Sequence, residues 1–277
     1  MIELSIIIVN LNTKDLTFGC LRSIEKEVKD INFEVLLTDN GSSDGSVEAL
    51  KEIKKESFWN KRLTLIFNKT NTGYAKANNQ GIKKAKGKYL LLLNNDTVVH
   101  KDALQNLLSF AERSPDAGVV GSKLLNIDGS LQSSCFHFPN IINAIKEYWF
   151  GQKGLFDKYA PKETKPITVD AVVGAAFLVT PQARKEVGIL DERYFAYFED
   201  IDYCRQVWKK GLKVYYLPSS IITHYHGATF AKLAPEPQNQ RWKKLIPSSK
   251  IYNGVIKHYL LTAILWLGQK WEKLFVR

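Results

Sequence analysis

Leu4-Ser5-Ile6-Ile7-Ile8-Val9-Asn10 is the stretch that decides the fold. Four of its residues are β-branched, and apolar side chains fall on both faces. A half-exposed strand would alternate; a run apolar on both sides belongs to a strand buried under helices, as in a parallel sheet. Leu16, Cys20, Leu21 and Ile24 follow at helical spacing. Residues 33–37 predict a second strand that runs into Asp39-Asn40-Gly41. Ser46 is placed to cap a helix with Val47, Leu50 and Ile53 on its inner face. Residues 63–67 predict a third strand, 74–86 a helix of small residues, and 88–93 a fourth strand. The next helix buries Ala103, Leu104, Leu107 and Leu108. This β-α-β-α order predicts an α/β fold with a mainly parallel, Rossmann-like sheet and helices on both faces. Ligands then belong at the carboxyl ends of the strands.

The 277-residue chain is 45% hydrophobic and 24% charged, which excludes a disordered or low-complexity protein. Its length fits two domains or one large one. Cys20, Cys135 and Cys204 are too few and too scattered for a disulfide framework or a zinc site, and a reducing compartment is expected. The N-terminus enters the first strand directly, with no secretory leader expected. The net charge is +11. Residues 241–277 hold eight basic residues against Glu272, so most of the surplus lies in this tail. The nearly balanced remainder carries no groove-reading motif, so no nucleic-acid partner is expected. Phosphate loops of the GxGxxG or GxxxxGK type are absent, which argues against a dinucleotide dehydrogenase or an ATPase.

The second half is less regular. Residues 118–125 and 169–180 predict strands with polar or glycine interruptions. Residues 126–168, with Pro139, Pro161 and Pro166, predict loops, partly mobile. A helix is expected over 199–210, short strands over 214–217 and 221–223, and a connection over 227–249. Residues 251–274 are helix-compatible, but their longest apolar run is nine residues, against the roughly 20 needed to span a bilayer. Basic residues with Trp242, Trp266 and Trp271 suit an interfacial helix on an anionic membrane. A helix that packs on the protein or forms a homodimer remains open.

Four polar clusters follow the four strands: Asn10-Leu11-Asn12, 39–45, 68–79, and Asn94-Asn95-Asp96. Each alone is an ordinary turn former. Together, on one sheet edge beside helix N-termini, they suit a nucleotide. The ordered set Ser5-Ile6-Ile7-Ile8-Val9-Asn10, Asp39-Asn40-Gly41-Ser42-Ser43-Asp44-Gly45, Asn71-Thr72-Gly73-Tyr74 and Leu93-Asn94-Asn95-Asp96 resembles family 2 glycosyltransferases, in their bacterial rhamnosyltransferase-like branch. Gly174-Ala175-Ala176, Phe198-Glu199-Asp200-Ile201-Asp202 and His224-Tyr225-His226-Gly227 extend the resemblance to about residue 230.

The resemblance implies a GT-A fold over 1–240, with a nucleotide-binding part over about 1–100 and an acceptor part over about 101–240. The basic tail, 241–277, then forms a C-terminal helical extension. It implies inverting transfer of a sugar from a dTDP- or UDP-linked donor, dTDP-rhamnose among them, with Mg2+ or Mn2+. The acceptor is a glycan or is lipid-linked, in cell-surface polysaccharide synthesis. An oxygen-ligated divalent cation offsets the charge that grows on the leaving diphosphate. Asp96 matches the last position of the family's DXD element and is the expected metal ligand; its first position is Asn94 here. His224 matches a family histidine and is a second candidate, with His226 as the alternative. Inversion needs one general base for the acceptor hydroxyl. Asp200 aligns with the family's base, with Glu199 or Asp202 as alternatives. On a helix from about 199, Asp200 shares a face with Cys204 and Val207 while Asp202 points elsewhere. Asp39 is expected to meet a pyrimidine imide N–H, with Asn10, Asn78, Asn94 and Asn95 lining the donor pocket. Gly174 and Ala175 would let the backbone approach donor and acceptor. The expected location is cytoplasmic, peripheral on the inner membrane face. A catalytically idle nucleotide-sugar or glycan-binding protein is the alternative reading.

Overall fold

The computed structural model describes residues 2–225 and 238–275. Its first half follows the sequence pattern. Strand β1 (Leu4–Asn10) leads to α1 (Lys14–Glu27), β2 (Phe33–Asp39), α2 (Ser46–Lys55), α3 (Ser57–Asn60), β3 (Leu63–Phe67), α4 (Tyr74–Lys84) and β4 (Tyr89–Leu93). These strands pair in parallel in the order β3-β2-β1-β4. Strand β1 is central, which explains why both its faces are apolar. Ile6 and Ile8 belong to the core layer that holds Leu21, Ile24 and Leu104. Ile7 belongs to the opposite layer, with Ile82, Tyr203 and Val207. Alternate side chains of one strand thus feed two cores.

The chain continues through β5 (Thr97–Val99), α5 (Ala103–Arg113), β6 (Ala117–Leu125), β7 (Cys135–Phe136), α6 (Ile141–Phe150), β8 (Ile167–Thr168), β9 (Ala171–Val172), β10 (Ala176–Val179), α7 (Pro181–Glu186), α8 (Glu199–Lys209) and β11 (Lys213–His224). Here the expectation of a mainly parallel sheet gives way to a mixed one. Strand β10 is antiparallel to both β4 and β6, and β11 is parallel to β6 but antiparallel to β5 and β8. One sheet therefore crosses the boundary near residue 100 between the expected nucleotide and acceptor parts. The two short strands expected around 214–223 are one strand, with a register shift between Leu217 and Ile221. The strand expected over 169–180 is two short ones, β9 and β10.

Two segments expected as loop are helical. Asn140 caps α6 by accepting from the Asn143 N–H at 2.8 Å, and Gly151 closes it at φ +69°. The expected connection over 227–249 includes the start of α9 (Gln238–Asn253), which is followed by α10 (Val255–Phe275). Ser46 is not the cap of α2: Asp44 stands before it, and its carboxylate accepts from the Ser46 N–H at 3.0 Å. All three cysteines are buried and free. Among the described residues, no helix is long and apolar enough to cross a membrane.

Helix α10 packs back on α6. Gly268 makes the approach possible, since a Cβ there would lie 2.8 Å from the Tyr148 backbone oxygen. The Trp149 indole N–H donates to the Ile264 carbonyl at 3.1 Å, and Trp149 stacks on Trp271. Helix α9 covers α8, with the Arg205 guanidinium 4.0 Å from the centre of the Tyr252 ring.

Gly87 fixes how β4 enters the sheet. Its N–H donates to Ser5 Oγ at 2.8 Å, and a Cβ would sit 2.4 Å from the Ser5 backbone nitrogen. No side-chain movement relieves that contact. Gly87→Ala should therefore cost about 1–3 kcal/mol, as other overpacked cores do. A thermal melt should show Tm lowered by several degrees, while Lys86→Ala, at an exposed neighbour, leaves it unchanged. An unaltered Tm for Gly87→Ala would refute the close approach.

Candidate active site

Register brings the strand ends together. Asn10 stands opposite Asp39 in the β1–β2 pair. The Asn10 amide donates to Asp39 Oδ2 at 2.7 Å, and the Ser42 N–H donates to Asp39 Oδ1 at 2.9 Å. Asn10 Oδ1 accepts from Thr13, Thr17 and Asn95 at 3.0, 2.8 and 3.1 Å. Asn10, Asp39 and Asn95 were expected to line the donor pocket. In this structure they are buried braces: Asn10 and Asp39 have no exposed surface, and Asn95 keeps 6%. They shape the 41–45 loop. A second network does the same for the loop after β3. Asn40 Oδ1 accepts from Asn68 and from the Thr72 N–H, both at 3.0 Å, and the Asn40 amide donates to Asn71 at 2.9 Å. Asn78 is buried and donates to the Tyr74 carbonyl at 2.9 Å.

The metal candidates meet across the sheet. Antiparallel pairing of β11 with β5 sets His224 opposite Thr97, one residue from Asp96. His224 Nε2 lies 3.3 Å from Asp96 Oδ1, and both residues are buried. Gln132 decides the histidine's tautomer. Its amide nitrogen donates to Asn126 Oδ1 at 2.8 Å and to the His224 carbonyl at 3.0 Å. Its oxygen therefore faces His224 Nδ1, at 2.7 Å, and Nδ1 carries the proton. Nε2, which faces Asp96, is then the ring nitrogen left to bind a cation. Asn94, half-buried, donates to that nitrogen at 3.3 Å and accepts from the Tyr74 hydroxyl at 2.9 Å. An imidazole lone pair beside a carboxylate is a donor set that a divalent cation fits. Among the described residues no third His, Cys, Asp or Glu joins them, so remaining coordination would fall to water and substrate oxygens. His226, the alternative ligand, lies outside the described residues.

The base candidate lies across Tyr74 from this pair. Asp200 is the second residue of α8 and is half-buried; its Oδ2 accepts from the Gly174 N–H at 2.9 Å and its Oδ1 from the Ile201 N–H at 2.8 Å. The Tyr74 hydroxyl is 3.2 Å from the Gly174 carbonyl. Burial raises the Asp200 pKa, opposed by these two N–H groups and by the charge of Lys158. Glu199 is more deeply buried, and its Oε2 has no hydrogen-bond partner. Burial, and then the negative charge of Asp200, push its carboxyl up to about 8. Asp202 points elsewhere, as the helical spacing requires, and pairs with Arg205 at 2.5 Å. A Cβ at Gly174 would meet Asp200 and Tyr74 only at ordinary distances of 3.6 Å, so protein packing does not demand that glycine. Ala175 is wholly buried and offers only its backbone: its carbonyl accepts from the Asn94 N–H at 2.9 Å.

Tyr74, Gln132 and Lys158 were not among the expected site residues. Tyr74 lay within a quoted motif. Gln132 and Lys158 carry no sequence signal, because only the sheet topology brings their segments to the site.

Residues 5–167, more than half of the chain, match the family described as Glycosyl transferase family 2, and the chain belongs to it. The N-acetylglucosaminyl-diphospho-decaprenol L-rhamnosyltransferase of Mycobacterium tuberculosis is 29% identical over 208 residues, covering 69% of this chain and 66% of that protein. This chain thus spans just under two-thirds of that relative's length. The mannosyltransferase PcManGT of Pyrobaculum calidifontis, solved with GDP-Man and Mn2+, superposes with a TM-score of 0.62 at 17% identity, over 97% of this chain and 71% of that one. GalNAc-T7, solved with UDP, GalNAc and Mn2+, gives 0.65 at 19% identity, over 81% of this chain and 43% of that one. These likenesses establish the shared GT-A fold.

Glu199 makes stability depend on pH. In the native state it holds its proton up to about pH 8, whereas the unfolded chain releases it near 4.5. Between these values the native state binds more protons, so this group's contribution to stability falls as pH rises. Glu199→Gln should therefore raise Tm relative to the parent by a margin that is smallest below pH 4.5 and largest above pH 8. Thermal melts across that range check this; a pH-independent margin would contradict the assignment.

Proposed function

We propose that this chain is an inverting, metal-dependent glycosyltransferase. It moves a sugar from a pyrimidine nucleoside-diphosphate donor to a glycan or lipid-linked acceptor in cell-surface polysaccharide synthesis. The observation that carries this reading is the placement of Asp200 and the Asp96–His224 pair on one sheet edge, joined through Tyr74 and Asn94. The M. tuberculosis relative's name favours an L-rhamnosyl donor and a polyprenyl-diphosphate acceptor. The basic tail is read as holding the enzyme at an anionic membrane, on its cytoplasmic side.

Asp200 takes the proton of the acceptor hydroxyl as that oxygen attacks the anomeric carbon. The new bond forms on the face opposite the bond to the diphosphate, which breaks, so configuration inverts. Burial favours this role by making Asp200 a stronger base than a solvated aspartate. The Gly174 and Ile201 N–H groups fix the carboxylate's direction. Asp96 and His224 Nε2 would hold Mg2+ or Mn2+, which when bound offsets the charge on the departing nucleoside diphosphate. Asp39, Asn10 and Asn95 act on the donor through the 41–45 loop that they brace.

Asp200→Asn should lower transfer at least about a hundredfold, as loss of a general base does. Stabilisation by UDP or dTDP with Mn2+ should persist, near 2.7 kcal/mol at a hundred times Kd. Normal turnover by this variant would sink the base assignment. Binding by the parent protein with neither transfer nor donor hydrolysis would favour an idle binding protein instead. Gln132→Leu removes the acceptor that fixes the His224 ring. Mn2+ binding in the presence of UDP, followed by electron paramagnetic resonance, should weaken about 10- to 100-fold, as loss of such a supporting partner does elsewhere. Unchanged Mn2+ affinity would remove Gln132 from the site.

A further inference from the structure

Of the eighteen large apolar side chains exposed among the described residues, thirteen lie on α6, α9 and α10. They are not scattered. On α10, Ile256, Leu260, Ala263 and Leu267 recur at three- and four-residue spacing and are all exposed. On α6, Ile142, Ile145 and Phe150 are exposed beside Lys146, while the partly exposed Trp149 leans on α10. The two helices are packed together through Gly268, Tyr148 and the Trp149–Trp271 stack. Their exposed apolar residues therefore lie on adjoining elements. A soluble monomer rarely leaves so much contiguous apolar surface uncovered.

The charges around it are mostly basic, with Glu272 in the last turn of α10 and Asp157 beside Tyr148 as the exceptions. Apart from Glu272, α9 and α10 include no acidic residue, and the single acid of α6, Glu147, is buried. Lys250 and Lys270 lie over the rings of Tyr259 and Trp266, at 4.8 and 5.5 Å from their centres. Such lysines flank an apolar face where an interfacial helix meets anionic headgroups. A two-fold dimer through this face would set Lys146, Lys250 and Lys270 of one copy against the same cations of the other.

We infer that α6 and α10 together form a platform that seats on an anionic lipid surface, with α6 as much a part of it as the basic tail. This deepens the membrane reading above and is independent of the chemistry at Asp200. A short run of residues leads from α6 toward the site. The Tyr148 hydroxyl of α6 bonds Asp157 at 2.9 Å, and the next residue, Lys158, is the cation whose charge reaches Asp200. A lipid-linked acceptor held at the platform's edge would meet the base from that side.

The test is co-sedimentation of the full chain with vesicles of phosphatidylcholine alone, and of equimolar phosphatidylcholine and phosphatidylglycerol. No donor or acceptor is present, so its outcome is separate from any loss of transfer. The protein should bind the anionic vesicles at least tenfold better than the neutral ones, and raised salt should weaken that binding. Two double variants report on each helix: Ile142→Asp with Phe150→Asp, at positions 64% and 72% exposed, and Ile256→Asp with Leu260→Asp, at 79% and 50%. These positions are open enough for the fold to survive, which circular dichroism verifies. Each pair should reduce binding at least tenfold. An α6 pair that binds as well as the parent would overturn the inference. So would equal binding to neutral vesicles, or a dimer in solution that these variants break while vesicles bind none of the protein.

Discussion

Asp39 is a carboxylate with no exposed surface, held by donors from Asn10, Gly41 and Ser42. Burying an ionised group costs several kcal/mol unless it is fully hydrogen-bonded. Its donors must therefore stay in place, and they lie on the neighbouring strand β1 and on the loop after β2. Asn10 carries the constraint further, because its oxygen accepts from Thr13, Thr17 and Asn95. The ends of β1, β2 and β4 are thus locked at one level. From Asn95 the chain needs one step in each direction to reach Asn94 and Asp96. The placement of the metal candidate depends on a buried network that need never touch a ligand.

Amides and acids divide the work along this edge. Asn94 accepts from Tyr74 through its oxygen, and its amide nitrogen faces His224 Nε2. Asn94, which stands where the resembled motif has an acid, serves both neighbours because its side chain carries a donor and an acceptor. It leaves a single carboxylate, Asp96, to carry charge. Across Tyr74, Asp200 and Glu199 are adjacent carboxyls in different surroundings: two N–H groups support the first, while one oxygen of the second has no partner. Environments that separate neighbouring carboxyls in this way commonly assign them different roles.

The first half of the fold was legible because its contacts follow chain order. Strands β1, β2 and β3 pair in succession, β4 crosses over to the free edge of β1 in the usual parallel manner, and apolar periodicity marks each of these elements. The second half was not, because β10 inserts between β4 and β6 against the direction of both. No local pattern encodes such a pairing. Helix α6 was obscured differently: Asn140 and Gly151 mark its ends, but its apolar residues face outward, so the stretch lacks the usual contrast between inner and outer faces. At the site, motif residues such as Asp96, Asp200 and His224 could be named from sequence. That Asn10 and Asn95 brace the strand ends required coordinates, since a bracing amide and a ligand-binding amide look alike in a string.

The tail has a part in the site as well as on the surface. Tyr197 and Phe198, just before Glu199 and Asp200, both adopt positive φ, at +70° and +71°. Non-glycine residues in such conformations cost about 1–3 kcal/mol each and persist only where their surroundings hold them. Here the holding groups come from two directions. The Tyr74 N–H donates to the Phe195 carbonyl at 2.7 Å from the donor side. From α9, Ser248 donates to the Ala196 carbonyl at 2.7 Å, and Tyr252 packs its ring 5.2 Å from that of Phe198. The strained turn that aims Asp200 is therefore clamped between the motif helix α4 and the C-terminal helices. A surplus of positive charge first singled out this tail as an address. The packing shows that removing it would also release the turn that carries the candidate base. Substitutions on the outward faces of α6 and α10 separate the two roles, because they leave Ser248 and Tyr252 where they are.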